Sequence, residues 1–143
     1  MSFPAQDDCV FCKIAANSHL PGSPVIYQNE RMIVLPDIHP AAARHLLIIP
    51  RTHIANTQCL EREDTELLTE MLQLGHAHLA KEQSSGVSPQ GPVKIGYHQP
   101  PWRSVDHLHQ HCFVLPHDPW WKVFKYAVPT VWIPSARLIQ QHQ

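Results

Sequence analysis

The sequence predicts an α+β domain with an antiparallel sheet of about five strands, one long helix and a short helical tail at the C-terminus. Two patterns support this fold class. Short runs of β-branched and other apolar residues, ended by proline or by polar turns, recur along the chain. One longer segment instead has apolar residues at three- and four-residue steps, which is the helical period.

The first predicted strands form a hairpin that is followed by a central strand. Residues 25–27 and 32–35 are apolar and β-branched, and the polar segment Gln-Asn-Glu-Arg separates them. Residues 45–50, HLLIIP, are continuously apolar after the histidine and are ended by Pro50. Such a run predicts a strand that is buried on both faces, near the centre of the sheet.

The long helix is predicted over residues 61–83, where acidic residues crowd the first turn. Two further strands follow, at residues 93–97 and at residues 107–116, HLHQHCFVLP. The tail, residues 117–143, is rich in tryptophan, phenylalanine and proline. Short helices are predicted at WWKVFKY and SARLIQQ, and the composition of the tail is typical of a packed flap or partner-contact segment.

Length and charge restrict the classes of function. The 143 residues fit one domain, expected over residues 9–143 after a flexible leader at residues 1–8. A net charge of -1 lacks the basic excess of general nucleic-acid binders. The acidic start and the absence of a long apolar window predict a soluble intracellular protein with no membrane partner. The four cysteines suit a reduced compartment better than a disulfide framework.

Histidine is unusually frequent, since its twelve copies equal aspartate and glutamate combined. His107, His109 and His111 are spaced by two within a predicted strand, so we expect them on one face of the sheet. A neutral imidazole is a good nucleophile, and a neighbouring one can stabilise charge on a phosphoryl oxygen. Phosphoryl transfer through a covalent histidine therefore fits the pattern. A zinc site or a row of ordinary solvent-facing histidines fits it too.

Cys9 and Cys12 form a CxxC pair that precedes every predicted strand. A thioredoxin-like redox pair is expected within a βαβ pattern, so a structural zinc half-site is the favoured interpretation. The missing ligands would most naturally be histidines, and His53 and His107 are the candidates.

Three further residues each have an ordinary and a functional interpretation. His45 opens the buried strand, where a histidine is more often a satisfied hydrogen-bond partner than a catalyst. Asp37 lies at a strand end, where it serves a turn or binds ribose hydroxyls. Ser104 resembles an ordinary loop serine.

The ordered motifs resemble those of the histidine triad family. They are CVFCKIA, then LPDIHPAAARHLLIIPRTH, the long helix, and GYHQPPWRSVDHLHQHCFVLP. The resemblance covers roughly residues 9–116, and the tail segment VWIPSARLI extends it almost to the C-terminus within one branch of the family.

This resemblance implies a purine nucleotide site that hydrolyses adenosine 5'-phosphoramidates and aminoacyl-adenylates. His109 matches the family nucleophile, which forms an AMP-histidine intermediate, and His45 matches the histidine that supports it. His111 and Ser104 match contacts to the phosphate or the leaving group. The other implied nucleotide contacts are Asp37 and Ile38 at the ribose, Val10, Phe11, Ile14, Leu35 and Leu47 at the base, and Arg103.

The resemblance also implies structural zinc on Cys9, Cys12, His53 and His107, no organic cofactor, and a homodimer formed through the helix and the sheet edge. We expect the protein in the cytoplasm and the nucleus. Two positions depart from the family pattern. Gln110 is polar where a hydrophobic residue alternates with the histidines, and a nucleotide-contacting asparagine of some relatives has no clear equivalent near residues 96–98.

Two other classes of function remain open at this stage. The first is hydrolysis of dinucleoside polyphosphates or of adenylated DNA ends, although a neutral chain without a basic groove disfavours the DNA substrate. The second is a non-catalytic interaction module that depends on nucleotide or zinc and uses Trp120, Trp121 and Trp132 as a partner surface.

Overall fold

A computed structural model describes residues 8–86, 90–100 and 105–143 of the chain. The strands are β1 (Tyr27–Gln28), β2 (Met32–Pro36), β3 (Ala42–Pro50), β4 (Val93–His98), β5 (Gln110–His117) and β6 (Trp132–Pro134). The α-helices are α1 (Val10–Ala16), α2 (Thr65–Ser84) and α3 (Ser135–His142), and short 3-10 segments span Thr57–Cys59, Arg62–Asp64 and Trp120–Tyr126. The described strands form one antiparallel sheet in the order β1-β2-β3-β5-β4-β6.

The predicted α+β class is confirmed, and so are the hairpin, the central strand β3, the long helix and the two short helical segments of the tail. The sheet has six strands rather than about five, because the tail adds β6 beside β4. The short helix α1 was not predicted. None of the helices in the described ranges is long and apolar enough to cross a membrane.

The prediction that one strand spans residues 107–116 is wrong at its start, since β5 begins at Gln110. The backbone N–H of Leu108 donates instead to the carbonyl of Ile54, at 2.6 Å, so this stretch bonds to the segment that follows β3. His107 and His109 therefore lie before the strand, and only His111 belongs to it.

The sheet separates two apolar layers, because side chains alternate between the faces of a strand. On one face, α2 packs Leu68 and Met71 against the buried residues Val34, Leu46 and Ile48. On the other face, α1 covers Ile33, Leu35, Leu47 and Ile49. This alternation gives β3 its two buried faces and explains why its sequence is continuously apolar.

The tail closes the end of the sheet beside the histidines. Tyr126 and Trp132 are buried against Phe113 in a third apolar cluster. β6 approaches β4 closely at Gly96, where a Cβ atom would lie 2.5 Å from the carbonyl oxygen of Ile133. A glycine is required there, because any side chain would push the tail strand away from the sheet.

Candidate functional site

Four histidines that lie in or next to the neighbouring strands β3, β5 and β4 converge at one place. The His111 ring lies 5.0 Å from the His109 ring, 5.1 Å from the His45 ring and 4.9 Å from the His98 ring, measured between centroids. His111 therefore stands at the centre of the group. The expectation that His107, His109 and His111 form one wall is wrong for His107, because its ring turns toward the cysteines of α1.

A contact with the backbone shows which ring nitrogen of His109 carries the proton. Its Nδ1 atom lies 2.7 Å from the carbonyl oxygen of His107, and a carbonyl only accepts, so Nδ1 carries the hydrogen. Burial lowers the pKa of His109, whereas the bond to His107 and the charge of Asp37 raise it. The net shift is downward, so the ring is neutral and its Nε2 atom keeps a free lone pair, as a nucleophile requires.

Two successive hydrogen bonds show which ring nitrogen of His111 carries the proton. The backbone N–H of Ala41 donates to Nδ1 of His45 at 3.0 Å, so the neutral His45 ring carries its hydrogen on Nε2. That atom lies 2.8 Å from Nδ1 of His111, which must accept. His111 consequently carries its own hydrogen on Nε2.

This Nε2–H group of His111 is the one buried side-chain polar group that lacks a hydrogen-bond partner among the described residues. Leaving a buried donor unpaired costs about 1–3 kcal/mol. Burial lowers the pKa of His45 to about 3 and that of His111 well below its ordinary value, so both rings are neutral near pH 7. The site thus offers a donor that an acceptor atom of a ligand would satisfy.

Asp37 lies just beyond β2, at the rim of the histidine group. Its Oδ2 atom is 3.4 Å from Nε2 of His45, and its Oδ1 atom accepts the backbone N–H of His39 at 2.8 Å. The turn interpretation of Asp37 is confirmed, its carboxylate also lies beside His45, and its role at a ribose stays a prediction. The neighbouring side chain of Ile38 is 85% exposed.

The residues that the resemblance assigns to the base pocket pack together on the α1 face. Phe11, Leu35 and Leu47 are buried in one cluster, and Ile14 packs partly buried against it. The Phe11 ring lies 5.2 Å from the His109 ring. Val10 is half exposed on the outer side of α1. An apolar wall therefore adjoins His109 on this side.

The predicted metal ligands also come together. Nδ1 of His107 lies 3.3 Å from Sγ of Cys9 and 3.4 Å from Sγ of Cys12, and Nδ1 of His53 lies 3.3 Å from Sγ of Cys12. All four side chains are buried, and their ligand atoms lie within 4.8 Å of one another. Cys9 is the N-cap of α1 and accepts the backbone N–H of Cys12 at 3.3 Å, so the helix start positions both thiols.

The protonation pattern shows that this group fits a metal ion. Nε2 of His107 donates to the carbonyl oxygen of Pro50 at 2.8 Å, which leaves the Nδ1 lone pair facing the thiols. Metal-ligating histidines characteristically donate their other ring N–H in this way. The buried Cys2His2 group could therefore bind a metal, and its donor set is typical of structural zinc.

A second group, Asp37, His45 and His111, also has ligand atoms within 4.8 Å of one another. It does not fit a metal, because Nδ1 of His45 already accepts an N–H and the Nε2 atom must therefore carry the proton. The two groups are adjacent but have different chemistry.

Sequence reasoning missed the residues that the tail and β4 contribute. The Tyr126 ring stacks on the His98 ring at 4.7 Å and lies 5.5 Å from the His111 ring. Burial, together with the negative charge of Asp37, raises the pKa of Tyr126. The aromatic composition of the tail was the available signal, but it does not reveal what the tail packs against. Arg103 and Ser104 lie outside the described residues.

Gln110, the polar departure from the family pattern, is fully buried on the opposite face of β5 from His111. Its Nε2 donates to the carbonyl oxygen of Met71 at 2.8 Å. Its Oε1 accepts the hydroxyls of Ser135 at 2.7 Å and Tyr97 at 3.3 Å. The side chain thus links β5 to α2, β4 and α3, away from the histidines.

A family profile described as "Scavenger mRNA decapping enzyme C-term binding" matches residues 8–125. The chain is 43% identical over 120 residues to the Bifunctional adenosine 5'-phosphosulfate phosphorylase/adenylylsulfatase HINT4 of Arabidopsis thaliana, covering 82% of this chain and 77% of the relative. It is 31% identical over 110 residues to the Adenosine 5'-monophosphoramidase HINT3 of Mus musculus, covering 77% of this chain and 65% of the relative.

Solved structures have the same fold. A HIT family hydrolase from Legionella pneumophila Philadelphia 1 matches with a TM-score of 0.62 and 31% identity, covering 74% of this chain and 91% of that one. A zinc-bound histidine triad family protein from Mycobacterium smegmatis matches with a TM-score of 0.62 and 21% identity, covering 94% and 92%.

Proposed function

Since the chain belongs to the histidine triad family, we propose that it is a purine nucleotide hydrolase that releases AMP from conjugates through a covalent AMP-His109 intermediate. The conjugates are AMP joined to amines through a P–N bond and aminoacyl-adenylates. The name of the Arabidopsis relative adds AMP joined to sulfate to the chemistries worth testing.

The observation that supports this proposal is the pairing of a free nucleophile with an unpaired donor. Nε2 of His109 has a lone pair, and the neighbouring Nε2–H of His111 has no partner among the described residues. In the first step, His109 attacks the α-phosphorus and the bond to the leaving group breaks, its electron pair passing to the leaving atom. The His111 N–H donates to a phosphoryl oxygen or to a departing amine. In the second step, the oxygen of water bonds to the phosphorus as the phosphorus–nitrogen bond to His109 breaks. One proton of the water returns to His111 where His111 has protonated an amine, and otherwise passes to solvent, which leaves AMP and free His109.

The remaining assignments place the nucleoside. Asp37 would accept the ribose hydroxyls, with Ile38 above them, and the apolar wall that includes Phe11 would hold the base. Arg103 and Ser104 would contact the phosphate. The Cys2His2 group would hold structural zinc, which supplies a rigid link between α1 and the segments that carry His53 and His107 and takes no part in the reaction.

The test is release of AMP from an adenosine 5'-phosphoramidate by the purified protein. We expect turnover by the wild type, loss of turnover in His109→Ala, and an AMP adduct on His109 after rapid acid quench and peptide mass analysis. His76→Ala is the matched control, because His76 is exposed on α2. Equal rates for His109→Ala and the wild type would refute the nucleophile, and AMP binding without turnover would favour a non-catalytic module.

A further inference from the structure

Tyr126 is a buried residue of the tail whose ring is held beside the histidine group by other rings. It stacks on the ring of His98 at 4.7 Å and on the ring of His117 at 5.3 Å, with interplanar angles of 23° and 18°. It meets the rings of Phe113 and Trp132 edge-on, at 4.8 and 5.5 Å. Only 3% of the residue is exposed. All of these are contacts of the ring, so they fix Tyr126 without engaging its hydroxyl group.

The hydroxyl group of Tyr126 forms no hydrogen bond with any residue of the ranges 8–86, 90–100 and 105–143. In the same ranges, the one fully buried side-chain polar atom without a partner is Nε2 of His111. The hydroxyl oxygen of Tyr126 must therefore reach accessible space, although the ring is enclosed. Buried tyrosines usually have a partner for the hydroxyl group, as Tyr97 does in Oε1 of Gln110 at 3.3 Å. Tyr126 departs from this rule, so its hydroxyl group is available to a ligand.

The neighbours of Tyr126 show which space its hydroxyl group faces. The Tyr126 ring lies 5.5 Å from the His111 ring and 6.0 Å from the His45 ring, at interplanar angles of 63° and 85°. The Oδ2 atom of Asp37 is 3.4 Å from Nε2 of His45, and the charge of Asp37 also raises the pKa of Tyr126. The phenol group therefore lies within reach of this carboxylate. The hydroxyl group accordingly opens toward the histidine group and not toward the outer surface of the tail.

Two unpaired donors thus border the space next to His109: the Nε2–H group of His111 and the O–H group of Tyr126. Burial raises the pKa of Tyr126, and Asp37 raises it further, so the phenol keeps its proton near pH 7. Two donors at one place require an acceptor with several lone pairs. A non-bridging phosphoryl oxygen is such an acceptor and is negatively charged, whereas a protonated amine has no lone pair.

We propose that the hydroxyl group of Tyr126 donates a hydrogen bond to a non-bridging oxygen of the α-phosphoryl group held at His109, as a second donor beside His111. This inference rests on the proposed function, because it presumes a nucleotide whose α-phosphorus lies at His109. The tyrosine keeps its proton throughout, so no bond to it forms or breaks. Its hydrogen bond stabilises the negative charge of the phosphoryl oxygens.

The first test uses Tyr126→Phe, which keeps the ring and removes only the hydroxyl group. Because this group has no partner among the described residues, the variant should keep the urea midpoint of the wild type. It should bind AMP about 10-fold more weakly or worse, because a hydrogen bond to a charged oxygen is lost. Adenosine has no phosphate, so its affinity should not change. Isothermal titration calorimetry measures both affinities.

The second test locates the contact on the substrate with two adenosine phosphoramidates whose leaving amines differ in basicity. The phosphoryl oxygen is common to both, so we expect Tyr126→Phe to lower kcat for both by the same factor, about 10-fold or more. A loss confined to one amine would overturn the phosphoryl contact, because a group that contacts the leaving amine responds to its basicity.

Tyr97→Phe is the matched control, because it removes a buried hydroxyl group that has a partner, Oε1 of Gln110. This variant should lower the urea midpoint and leave the ratio of the AMP and adenosine affinities unchanged. The two tyrosine variants should therefore separate, one in nucleotide affinity and the other in stability. A lower urea midpoint with an unchanged affinity ratio in Tyr126→Phe would show a purely structural role and overturn the proposal.

The failure of this inference and the failure of the proposed function give different results. Turnover of a phosphoramidate by the wild type, with equal AMP affinities of the wild type and Tyr126→Phe, would overturn the tyrosine contact and leave the proposed function intact. Absence of both AMP binding and turnover in the wild type would overturn the two together.

Discussion

Single hydrogen bonds determine the chemistry of the histidines at this site. The carbonyl of His107 holds the proton of His109 on Nδ1, and the backbone N–H of Ala41 holds the proton of His45 on Nε2. The first bond produces a free nucleophilic nitrogen, and the second, through His45, produces a free donor on His111. Identical side chains thus present different groups, a lone pair on His109 and an N–H on His111, because their hydrogen-bond neighbours differ.

This assignment predicts the effects of two substitutions on adenosine phosphoramidate hydrolysis. His111→Ala removes the unpaired donor, and we expect kcat to fall about 100-fold or more, as when an oxyanion donor is lost. His45→Ala should cause a smaller fall in kcat with little change in KM, because it removes only the bond that orients His111. Steady-state kinetics check both values. A larger loss in His45→Ala than in His111→Ala would contradict the proposed order of roles.

Gln110 predicts a measurable effect on stability. Gln110→Leu would restore the hydrophobic residue of the family pattern but would remove the partner of the buried hydroxyls of Tyr97 and Ser135. We expect the free energy of unfolding to fall by about 1–3 kcal/mol. Urea denaturation measures it, with Gln73→Leu on the exposed side of α2 as the matched control. Equal or greater stability of Gln110→Leu would show that apolar packing compensates for the lost bonds.

At the scale of the elements, α1 is too short to be stable alone, and its position depends on the cysteines at its start. Helices of this length are marginal in water, so packing and cross-links must hold them. Phe11 packs against the sheet, and the Cys2His2 group joins α1 to the segments beyond β3 and before β5. A metal in this group would therefore also fix the apolar wall beside His109.

Removal of the thiols tests this link. We expect purified protein to contain about one zinc ion per chain, and Cys9→Ser/Cys12→Ser to lack it and to have a lower melting temperature, because metal binding contributes to folding free energy. Elemental analysis and thermal denaturation are the measurements. Cys59→Ser is the matched control, since Cys59 lies outside the group. Wild-type protein purified without metal, and no less stable after chelation, would refute the site.

At the scale of the whole molecule, the concentration of buried neutral histidines makes stability depend on pH. Burial lowers the pKa of His45 to about 3 and that of His98 to about 4, from an ordinary value of 6.5. The unfolded chain therefore binds protons that the folded chain rejects as the pH falls below about 6.5. Stability is fully present above pH 6.5 and is lost progressively down to the folded pKa values.

Denaturant midpoints between pH 8 and pH 4 measure this effect. We expect a plateau above about pH 6.5, a steady fall below it, and a shallower fall in His45→Gln. The exposed His76→Ala variant should follow the wild type. A flat profile between pH 6.5 and pH 4 would show that these rings are protonated in the folded protein.

The homodimer implied by the family resemblance remains a prediction. β6 covers part of the β4 edge, so we expect a second copy to contact the outer edge of β6 or the exposed side chains of Trp120, Trp121 and Phe124. Light scattering should give about twice the chain mass of 16.3 kDa. A Trp121→Ser variant should weaken association if the aromatic side chains form the contact. A mass equal to one chain would exclude the dimer at that concentration.

The local sequence was sufficient for much of the fold, because periodicity and proline positions report local backbone preferences. The apolar run at 45–50 predicted β3, and the helical period predicted α2, although it began four residues early. Local signals failed where the backbone forms hydrogen bonds with segments that are distant in the chain. β5 starts at Gln110 because the backbone N–H of Leu108 donates to the carbonyl of Ile54. β6 forms because residues of the tail pair with the edge of β4 that β5 does not occupy.

The sequence by itself determined which residues can do chemistry here: the spaced histidines, the CxxC pair and the order of motifs around them. Only the tertiary structure decided how those histidines divide. His107 turns to the cysteines, His111 becomes the centre of the site, and His98 and Tyr126 join it although the sequence assigned no role to either of them. The physical reason is that a ring's proton and direction depend on the backbone groups it meets after folding. Those contacts join residues that are far apart in the chain.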